Sequence, residues 1–261
     1  MTDPLSTAAS VATLAQTAAQ TGKALRSIRF RNSFRNIFGH VKIAVFGYSG
    51  SGKSSFLSML RDGVPYTGST TRSTKIVTVT LPNGRKVDFY DCPGQDSYRE
   101  QRTEIKHRIF DGKFHAVINV VCYGYNETDA SAYKVLDSNG VVKPKYLIDM
   151  RKRELNQLDE WQNDIRSGCK LKWMMTLINK ADIWWEDRRE AHHYYSDAKT
   201  PYGTRINEIS RVIPNVHTIE YCSTISRFGG GDSMLIHFDE KDKIMMHNRL
   251  LEQIQNFIEN A

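Results

Sequence analysis

Residues 47–54 read Gly-Tyr-Ser-Gly-Ser-Gly-Lys-Ser, and this stretch is the strongest indication of the fold in the sequence. It fits the pattern G-x-x-x-x-G-K-S/T, with the apolar run Val41 to Phe46 before it and Ser55-Phe56-Leu57 after it. This order of strand, glycine-rich turn and helix is what a phosphate-binding loop requires, because the turn amides and the positive end of the helix dipole converge on one anion. The alternative, a surface turn with a solvated lysine, does not account for both flanking elements. The sequence therefore predicts a nucleoside triphosphate site.

The residues of this loop have separate expected roles. Lys53 is expected to reach the terminal phosphates, and the Ser54 hydroxyl is expected to bind Mg²⁺. The predicted nucleotide-binding residues of the segment are Gly47, Ser49, Gly50, Ser51, Gly52, Lys53, Ser54 and Ser55.

A second motif, Asn179-Lys180-Ala181-Asp182, follows the apolar stretch Leu171 to Ile178 and indicates which base is bound. Guanine presents two donors, N1–H and N2–H₂, and a carboxylate such as Asp182 can accept from both, whereas adenine lacks that pattern. Asn179 is expected to tie the loops together, and the aliphatic stem of Lys180 to lie over the base. Buried polar groups reject a wrong base because their own hydrogen bonds are then unmade. The motif alone is a weak pattern, but its place behind a phosphate loop predicts guanine recognition.

A third motif, Asp91-Cys92-Pro93-Gly94-Gln95, follows the short strand predicted at Val87 to Tyr90. An aspartate at such a strand end can hold Mg²⁺ through a water molecule, and Gly94 can bring its N–H to the terminal phosphate. An ordinary Asp-x-Pro-Gly turn is the other interpretation of the motif by itself.

Together these motifs resemble those of Ras-like, translation-factor-class P-loop GTPases. Residues 91–98 are similar to the second switch of elongation factors, with Gln95, the Ras-type residue, where those carry histidine. Thr70-Thr71-Arg72 resembles the first switch of the Era and TrmE group, which usually has a hydrophobic residue at the position of Gln95. The subfamily is therefore open. Tyr221-Cys222-Ser223-Thr224 looks like a degenerate S-A-K element, in which Cys222 replaces the usual alanine or its neighbour.

The resemblance implies one role for each switch residue. Thr71 would bind Mg²⁺ and the terminal phosphate, with Thr70 as the alternative, and Gln95 would orient the attacking water. The implied catalytic residues are Gln95, Lys53 and Thr71, and the implied metal ligands are Ser54, Thr71 and Asp91. The other implied nucleotide contacts are Gly94, Asn179, Lys180, Asp182, Cys222, Ser223 and Thr224. Arg72, Arg99 and Arg102 are candidates for an internal arginine finger, although solvated loop arginines are more common.

The alternation of strands and helices predicts a doubly wound, mostly parallel six-stranded sheet with one antiparallel edge strand. The predicted strands are Val41 to Phe46, Ile76 to Leu81, Val87 to Tyr90, Ala116 to Cys122, Trp173 to Ile178 and Val216 to Tyr221. The predicted helices are Lys53 to Leu60, Ser97 to Phe110, Leu147 to Ile165, a segment within Trp185 to Val212, and Lys243 to Asn260. Asn83-Gly84 predicts a hairpin turn, which makes the second and third strands antiparallel.

Residues 41–261 are thus predicted to form a GTPase domain with two insertions, near residues 123–146 and 184–214. The first insertion is polar and turn-rich and is expected to be a long loop. The second contains Trp184-Trp185, His192-His193 and Tyr194-Tyr195. We expect its paired aromatics to pack as local core, with a partner-binding patch as the alternative. The histidine pair lacks metal-ligand spacing, so Mg²⁺ is the only metal predicted.

Residues 1–40 differ in composition from the rest, being rich in Ala, Thr, Ser and Gln and then in Lys and Arg. Apolar residues recur at alternating spacings of three and four from Val11 to Ile28, which predicts a helix with basic residues around it. Three roles are open: a basic amphipathic helix in peripheral contact with a membrane surface, a helix packed on a partner or on its own domain, and a disordered tail.

Composition limits the remaining function classes. The chain has 261 residues and a net charge of +7, part of which comes from residues 1–40, and no RNA-binding module follows the motifs. Nucleic acid is therefore not an expected partner. The four cysteines form no C-x-x-C pair and no secretory signal is found, so a cytoplasmic protein with reduced thiols is expected.

Three functional hypotheses follow from the motifs, and the third of them is a P-loop protein that uses ATP. The first is a GTP-hydrolysing, Mg²⁺-dependent molecular switch, slow without an activating partner, whose surface near Thr71 and Asp91 to Gln95 changes with the nucleotide and binds an effector or activating protein. The second is a GTP-binding scaffold or regulatory interaction module with little turnover.

Overall fold

A computed structural model describes residues 40–63, 75–94, 99–127, 132–168, 170–223 and 238–260. By its contacts the chain separates into two units, Met1–His40 and Val41–Ala261, and nearly all described residues belong to the second. The predicted helix between Val11 and Ile28 lies outside the described residues. Within them, no helix combines the length and the apolar character that crossing a membrane requires.

The described residues form one six-stranded sheet in the order β2-β3-β1-β4-β5-β6. Only the β2–β3 pair is antiparallel, and its connection contains Asn83-Gly84. The other four neighbouring pairs are parallel. The predicted fold class is therefore confirmed. The strands are β1 (Val41–Phe46), β2 (Lys75–Thr80), β3 (Lys86–Asp91), β4 (Ala116–Val121), β5 (Trp173–Ile178) and β6 (Asn215–Glu220).

At least one helix follows every strand except β2, which leads directly into β3. The helices are α1 (Lys53–Asp62), α2 (Arg99–Phe110), α3 (Ala132–Val135), α4 (Pro144–Ser167), α5 (Ala181–Trp184), α6 (Arg188–Ser196), α7 (Pro201–Ser210) and α8 (Glu240–Asn260). A 3-10 turn, Trp185–Asp187, joins α5 to α6.

The core lies on both faces of the sheet, since every residue of β4 and β5 is buried. On one face, Phe46 of β1 stacks on Trp161 of α4 with ring centroids 4.6 Å apart. Trp173 of β5 stacks on Phe257 of α8 at 5.1 Å. Helices on both faces leave the carboxyl ends of the parallel strands as the edge where loops can build a site.

Several predicted boundaries need correction. Helix α4 begins at Pro144, three residues before the predicted Leu147, because proline suits the first position of a helix. Helix α8 begins at Glu240 and not at Lys243. The predicted loop over residues 123–146 contains the short helix α3 and a bridge between Leu136 and Val142.

The second insertion contains two helices, α6 and α7, where the sequence predicted a single helical segment. Its aromatic residues pack as core, as expected: Trp184 and Tyr195 are buried, and Tyr194 packs at an edge of Tyr195.

Candidate nucleotide-binding site

The phosphate loop connects β1 to α1, and its glycines are required by its shape. Gly50 and Gly52 have φ angles of 75° and 85°, in the left-handed region that side chains disfavour. Neighbouring atoms are also close: a Cβ on Gly50 would lie 2.0 Å from the Glu127 carbonyl oxygen, and one on Gly52 would lie 2.4 Å from Asn179 Nδ2. Helix α1 begins directly after Gly52, so its first amides face the loop. This arrangement can hold an anion.

Lys53 lies inside this loop. Its ammonium donates to the carbonyl oxygens of Gly47, at 2.7 Å, and Tyr48, at 3.4 Å. Burial lowers the pKa of Lys53, and the charge of Asp91 acts in the opposite direction. A buried ammonium of this kind is stabilised by a bound anion such as a phosphate.

Ser54 and Asp91 meet next to the loop. Parallel pairing places Asp91, the last residue of β3, beside Val45 near the end of β1. The Ser54 hydroxyl donates to Asp91 Oδ2 at 3.1 Å, so two predicted metal ligands from separate elements are in contact. A hydroxyl and a carboxylate are hard oxygen donors, which fit Mg²⁺.

Gly94 lies against the phosphate loop. A Cβ at this position would be 2.6 Å from both the Gly47 carbonyl oxygen and Lys53 Nζ, and 2.9 Å from the Ser49 amide nitrogen. Only glycine allows so close an approach.

Asn179 joins the base-recognition motif to the phosphate loop. Its Nδ2 donates to the carbonyl oxygen of Ser51 at 3.0 Å and to the hydroxyl of Ser223 at 3.2 Å. Its Oδ1 accepts from the Ser223 amide at 3.1 Å. The Trp184 indole donates to its carbonyl oxygen at 2.8 Å. Three predicted segments, after β1, β5 and β6, therefore meet at one buried amide.

Asp182 and Cys222 form the neighbouring part of the site. Asp182 is 2% exposed, and the Cys222 thiol donates to its Oδ1 at 3.3 Å. The backbone of the two loops is also joined, because the Ala181 amide donates to the Tyr221 carbonyl oxygen at 3.0 Å. The side chain of Cys222 thus orients the carboxylate, and Ser223 is the residue that contacts Asn179.

The sequence of this domain matches a protein-family model described as 50S ribosome-binding GTPase over residues 42–180, more than half of the chain. The chain belongs to this family. It is therefore a P-loop GTPase of the translation-factor class, as the ordered motifs had indicated. The matched region includes the phosphate loop, Asp91 and the first two residues of the Asn179 motif.

Two solved structures are similar to this chain, and the first of them agrees with its fold. The structure of the mammalian SRP receptor aligns with a TM-score of 0.50 and 14% identity, covering 83% of this chain and 99% of the receptor chain. A GTP-binding protein from the hyperthermophilic archaeon Sulfolobus solfataricus, in complex with GDP, aligns at 0.47 and 14%, covering 95% of this chain and 61% of that one. At 14% identity, the alignment with the receptor shows the fold alone, and no inference is drawn from the second alignment. No curated protein matches the chain.

One segment at the site was not predicted from the sequence. It runs from Cys122 to Glu127 and is called the bridging segment below. Its Glu127 amide donates to the Gly50 carbonyl oxygen at 3.2 Å, and Asn126 Nδ2 donates to that of Ser49 at 3.3 Å. Lys180 Nζ donates to its Tyr125 carbonyl oxygen at 3.0 Å and lies 3.4 Å from Glu127 Oε1. The segment could have been expected at the site from its position, because it follows β4 and so lies at the same edge of the sheet as the motifs.

Several predicted residues lie outside the described part of the chain. These are Thr70, Thr71, Arg72, Gln95 and Thr224. Of the arginine-finger candidates, Arg102 is buried in α2, and its Nη2 lies 3.8 Å from Glu160 Oε2 on α4. Arg102 therefore joins two helices in this structure. Ser55 follows Ser54 in the first turn of α1.

Proposed function

We propose that this protein is a GTP-binding and GTP-hydrolysing molecular switch that depends on Mg²⁺. One observation carries the proposal: the Asn179 amide contacts both the Ser51 carbonyl oxygen and Ser223. The elements expected to bind phosphates and the elements expected to bind a base thus surround one site. Membership of a GTPase family agrees with this assignment.

Guanine selectivity is assigned to Asp182. Its buried carboxylate is held by Cys222, so its orientation is set before a base arrives. Guanine N1–H and N2–H₂ supply two donors to it, whereas adenine would leave a buried carboxylate without them, at a large cost in binding. Lys180 has a left-handed backbone (φ 61°) and a buried side chain, which suits an aliphatic stem packed on the base.

Magnesium would be held by Ser54 and Asp91, with Thr71 as a further proposed ligand. The contact between Ser54 Oγ and Asp91 Oδ2 supports this assignment. Both are oxygen atoms, the ligand type that Mg²⁺ prefers, and they belong to the two motifs that are expected to bind the metal. When bound, Mg²⁺ neutralises charge that develops on the phosphate oxygens.

In the proposed hydrolysis the chain positions the attacking water and the phosphates, and it stabilises the negative charge on the phosphate oxygens. Lys53 would hold the terminal phosphates, and Gln95 would orient the attacking water. Gly94 lies on the loop beside Lys53, so its backbone is placed to respond to a terminal phosphate. Ordering of the loops around Thr71 and Asp91 to Gln95 by that phosphate, and their release after cleavage, would make the surface nucleotide-dependent.

The partner of such a surface would be an effector or activating protein. Intrinsic turnover in these systems is on the order of 10⁻⁴ to 10⁻² s⁻¹, so an activating partner would be needed for rapid hydrolysis. We place the protein in the cytoplasm. Peripheral contact with a membrane surface is one of the three roles open for residues 1–40, beside a helix packed on a partner or on its own domain and a disordered tail.

Measuring phosphate release from GTP distinguishes the hydrolysing switch from a GTP-binding scaffold with little turnover. GTP-dependent release by the wild-type protein is expected to be slow and to fall about tenfold or more in Gln95→Leu, because the attacking water is no longer oriented. GDP binding measured by calorimetry should be equal in the two proteins. If the wild type releases no phosphate above buffer, even with cell extract, the switch is wrong and the GTP-binding scaffold with little turnover replaces it.

A further inference from the structure

A buried polar cluster contacts the first two residues of the bridging segment, Cys122 and Tyr123. Its central residue is Glu154 of α4, which is 1% exposed. Glu154 Oε1 accepts from the Cys122 amide at 2.9 Å and from the Cys122 thiol at 3.5 Å. Charged residues are seldom buried this fully unless paired, so the hydrogen bonds that Glu154 makes are what allow its position.

Tyr195 of α6 completes the cluster. Its hydroxyl donates to Glu154 Oε2 and accepts from the Tyr123 amide at 2.9 Å. Tyr195 is fully buried, and Tyr123 has a left-handed backbone with φ of 54°, an unusual conformation for a residue with a side chain. The second insertion therefore supplies a hydrogen bond that holds the strained start of the bridging segment.

The other end of the bridging segment contacts the nucleotide loops. Its Asn126 and Glu127 bond to the backbone of the phosphate loop, and its Tyr125 carbonyl accepts from Lys180 of the base-recognition motif. Six residues thus join a buried anchor at one end to both halves of the site at the other. A displacement at the anchor will move groups that the nucleotide needs.

We propose that Glu154 and Tyr195 are positioning residues for nucleotide retention, and that α6 acts on the nucleotide site through them. The proposal rests on the function proposed above. Within the described part of the chain, the two side chains hydrogen-bond to each other and to the start of the bridging segment, through which both act. Whatever displaces α6 would accordingly change how long a guanine nucleotide stays bound.

The test is the dissociation rate of a fluorescent N-methylanthraniloyl GDP from the full chain, chased with excess unlabelled GDP. Tyr195→Phe keeps the ring and removes only the hydroxyl. We expect dissociation to be about tenfold faster, because the Tyr123 amide and Glu154 each lose a buried hydrogen bond. Glu154→Gln replaces one of the two acceptor oxygens with an NH₂ donor, so either the Tyr195 hydroxyl or the Cys122 amide loses its acceptor. It should also accelerate release, and it provides the measurement if Tyr195→Phe is not obtained folded.

Tyr202→Phe is the matched control. Tyr202 is an equally buried tyrosine in contact with Tyr195, but its hydroxyl bonds to Asn119 in the middle of β4 and not to the bridging segment. It should lower the melting temperature much as Tyr195→Phe does, while leaving the dissociation rate unchanged.

The outcomes separate the two proposals. If the wild type binds the labelled GDP but Tyr195→Phe and Glu154→Gln release it at the rate of Tyr202→Phe, the positioning role is wrong and the proposed function stands. If the wild type does not bind labelled GDP, both are wrong.

Discussion

The two halves of the site are built in different ways. The phosphate half is built mainly on consecutive residues, 47–54, whose function depends on the backbone shape that glycines allow, and Asp91 and Gly94 lie against them. The base half is assembled from side chains of segments far apart in sequence: Asn179 and Asp182, Cys222 and Ser223, and the bridging segment. A local motif can therefore specify the first half, whereas the second depends on tertiary packing.

Gly50→Ala should have the largest effect, because it changes the half that depends on backbone shape. The new Cβ would lie 2.0 Å from the Glu127 carbonyl oxygen, so the loop or the bridging segment must move. We expect GDP affinity, measured by calorimetry, to fall by about 100-fold, the scale on which a displacement of about 1 Å acts.

Gly84→Ala is the control that separates the two effects of Gly50→Ala, which are backbone strain at a positive φ angle and the clash of the new Cβ with neighbouring atoms. Gly84 has nearly the same backbone angle, with φ of 78° against 75° for Gly50, but nothing lies within 4 Å of its would-be Cβ. It should cost about 1–2 kcal/mol of folding free energy and leave GDP affinity unchanged. Equal losses of affinity in the two variants would contradict the role given to the loop.

Asp182→Asn tests whether the base half depends on a single side chain. An amide at this position accepts from N1–H but donates toward the C2 substituent, which suits the carbonyl of xanthine and not the amino group of guanine. Affinity for GDP should fall by about 10- to 100-fold, while affinity for xanthosine diphosphate rises. The gain with xanthosine diphosphate shows that the variant is folded, and a retained preference for guanine would disprove the assignment.

His192 should give the smallest effect. It lies on α6, and its Nδ1 is 2.6 Å from Glu220 Oε1 at the end of β6, with Arg249 of α8 also facing that carboxylate. The hydrogen bond to Glu220 raises the pKa of His192. The stabilisation is therefore complete below the ordinary histidine pKa of about 6.5 and is lost as the pH rises through the raised value.

Melting temperatures of the wild type and His192→Gln across this range will measure the effect. The difference should be largest at the acidic end and shrink as the pH rises. Because the His192 side chain is 41% exposed, solvent screening should keep its contribution below about 1 kcal/mol. A difference that grows with pH would contradict this account.

The sheet and the phosphate half were predictable because their signals are local. The apolar runs Val41 to Phe46 and Trp173 to Ile178 coincide with β1 and β5 at both ends. Asn83-Gly84 correctly predicted the antiparallel pair, since turn chemistry constrains the backbone at two adjacent residues. The loop over residues 47–54 likewise follows from its own glycines.

The base half was only partly predictable. The sequence predicted roles for Asn179 and Asp182, but not that the Cys222 thiol donates to the Asp182 carboxylate or that Asn126 and Glu127 bond to the phosphate loop. Those contacts depend on which strands are neighbours and on where each chain leaves the sheet. Glu154 and Tyr195 are less predictable still, because a charged residue in an amphipathic helix and a tyrosine in an insertion carry no local sign of meeting.

Three thiols around this site have a practical consequence. Cys92, Cys122 and Cys222 lie just beyond β3, β4 and β6, all are buried, and burial raises the pKa of each. Since the thiolate is the form that attacks alkylating reagents, each sulfur should react only while its surroundings are briefly open. Mass spectrometry of the peptides would give the alkylation rate of each cysteine, and so the rate at which each strand end opens. Because the three cysteines are natural, no residue has to be substituted for this measurement.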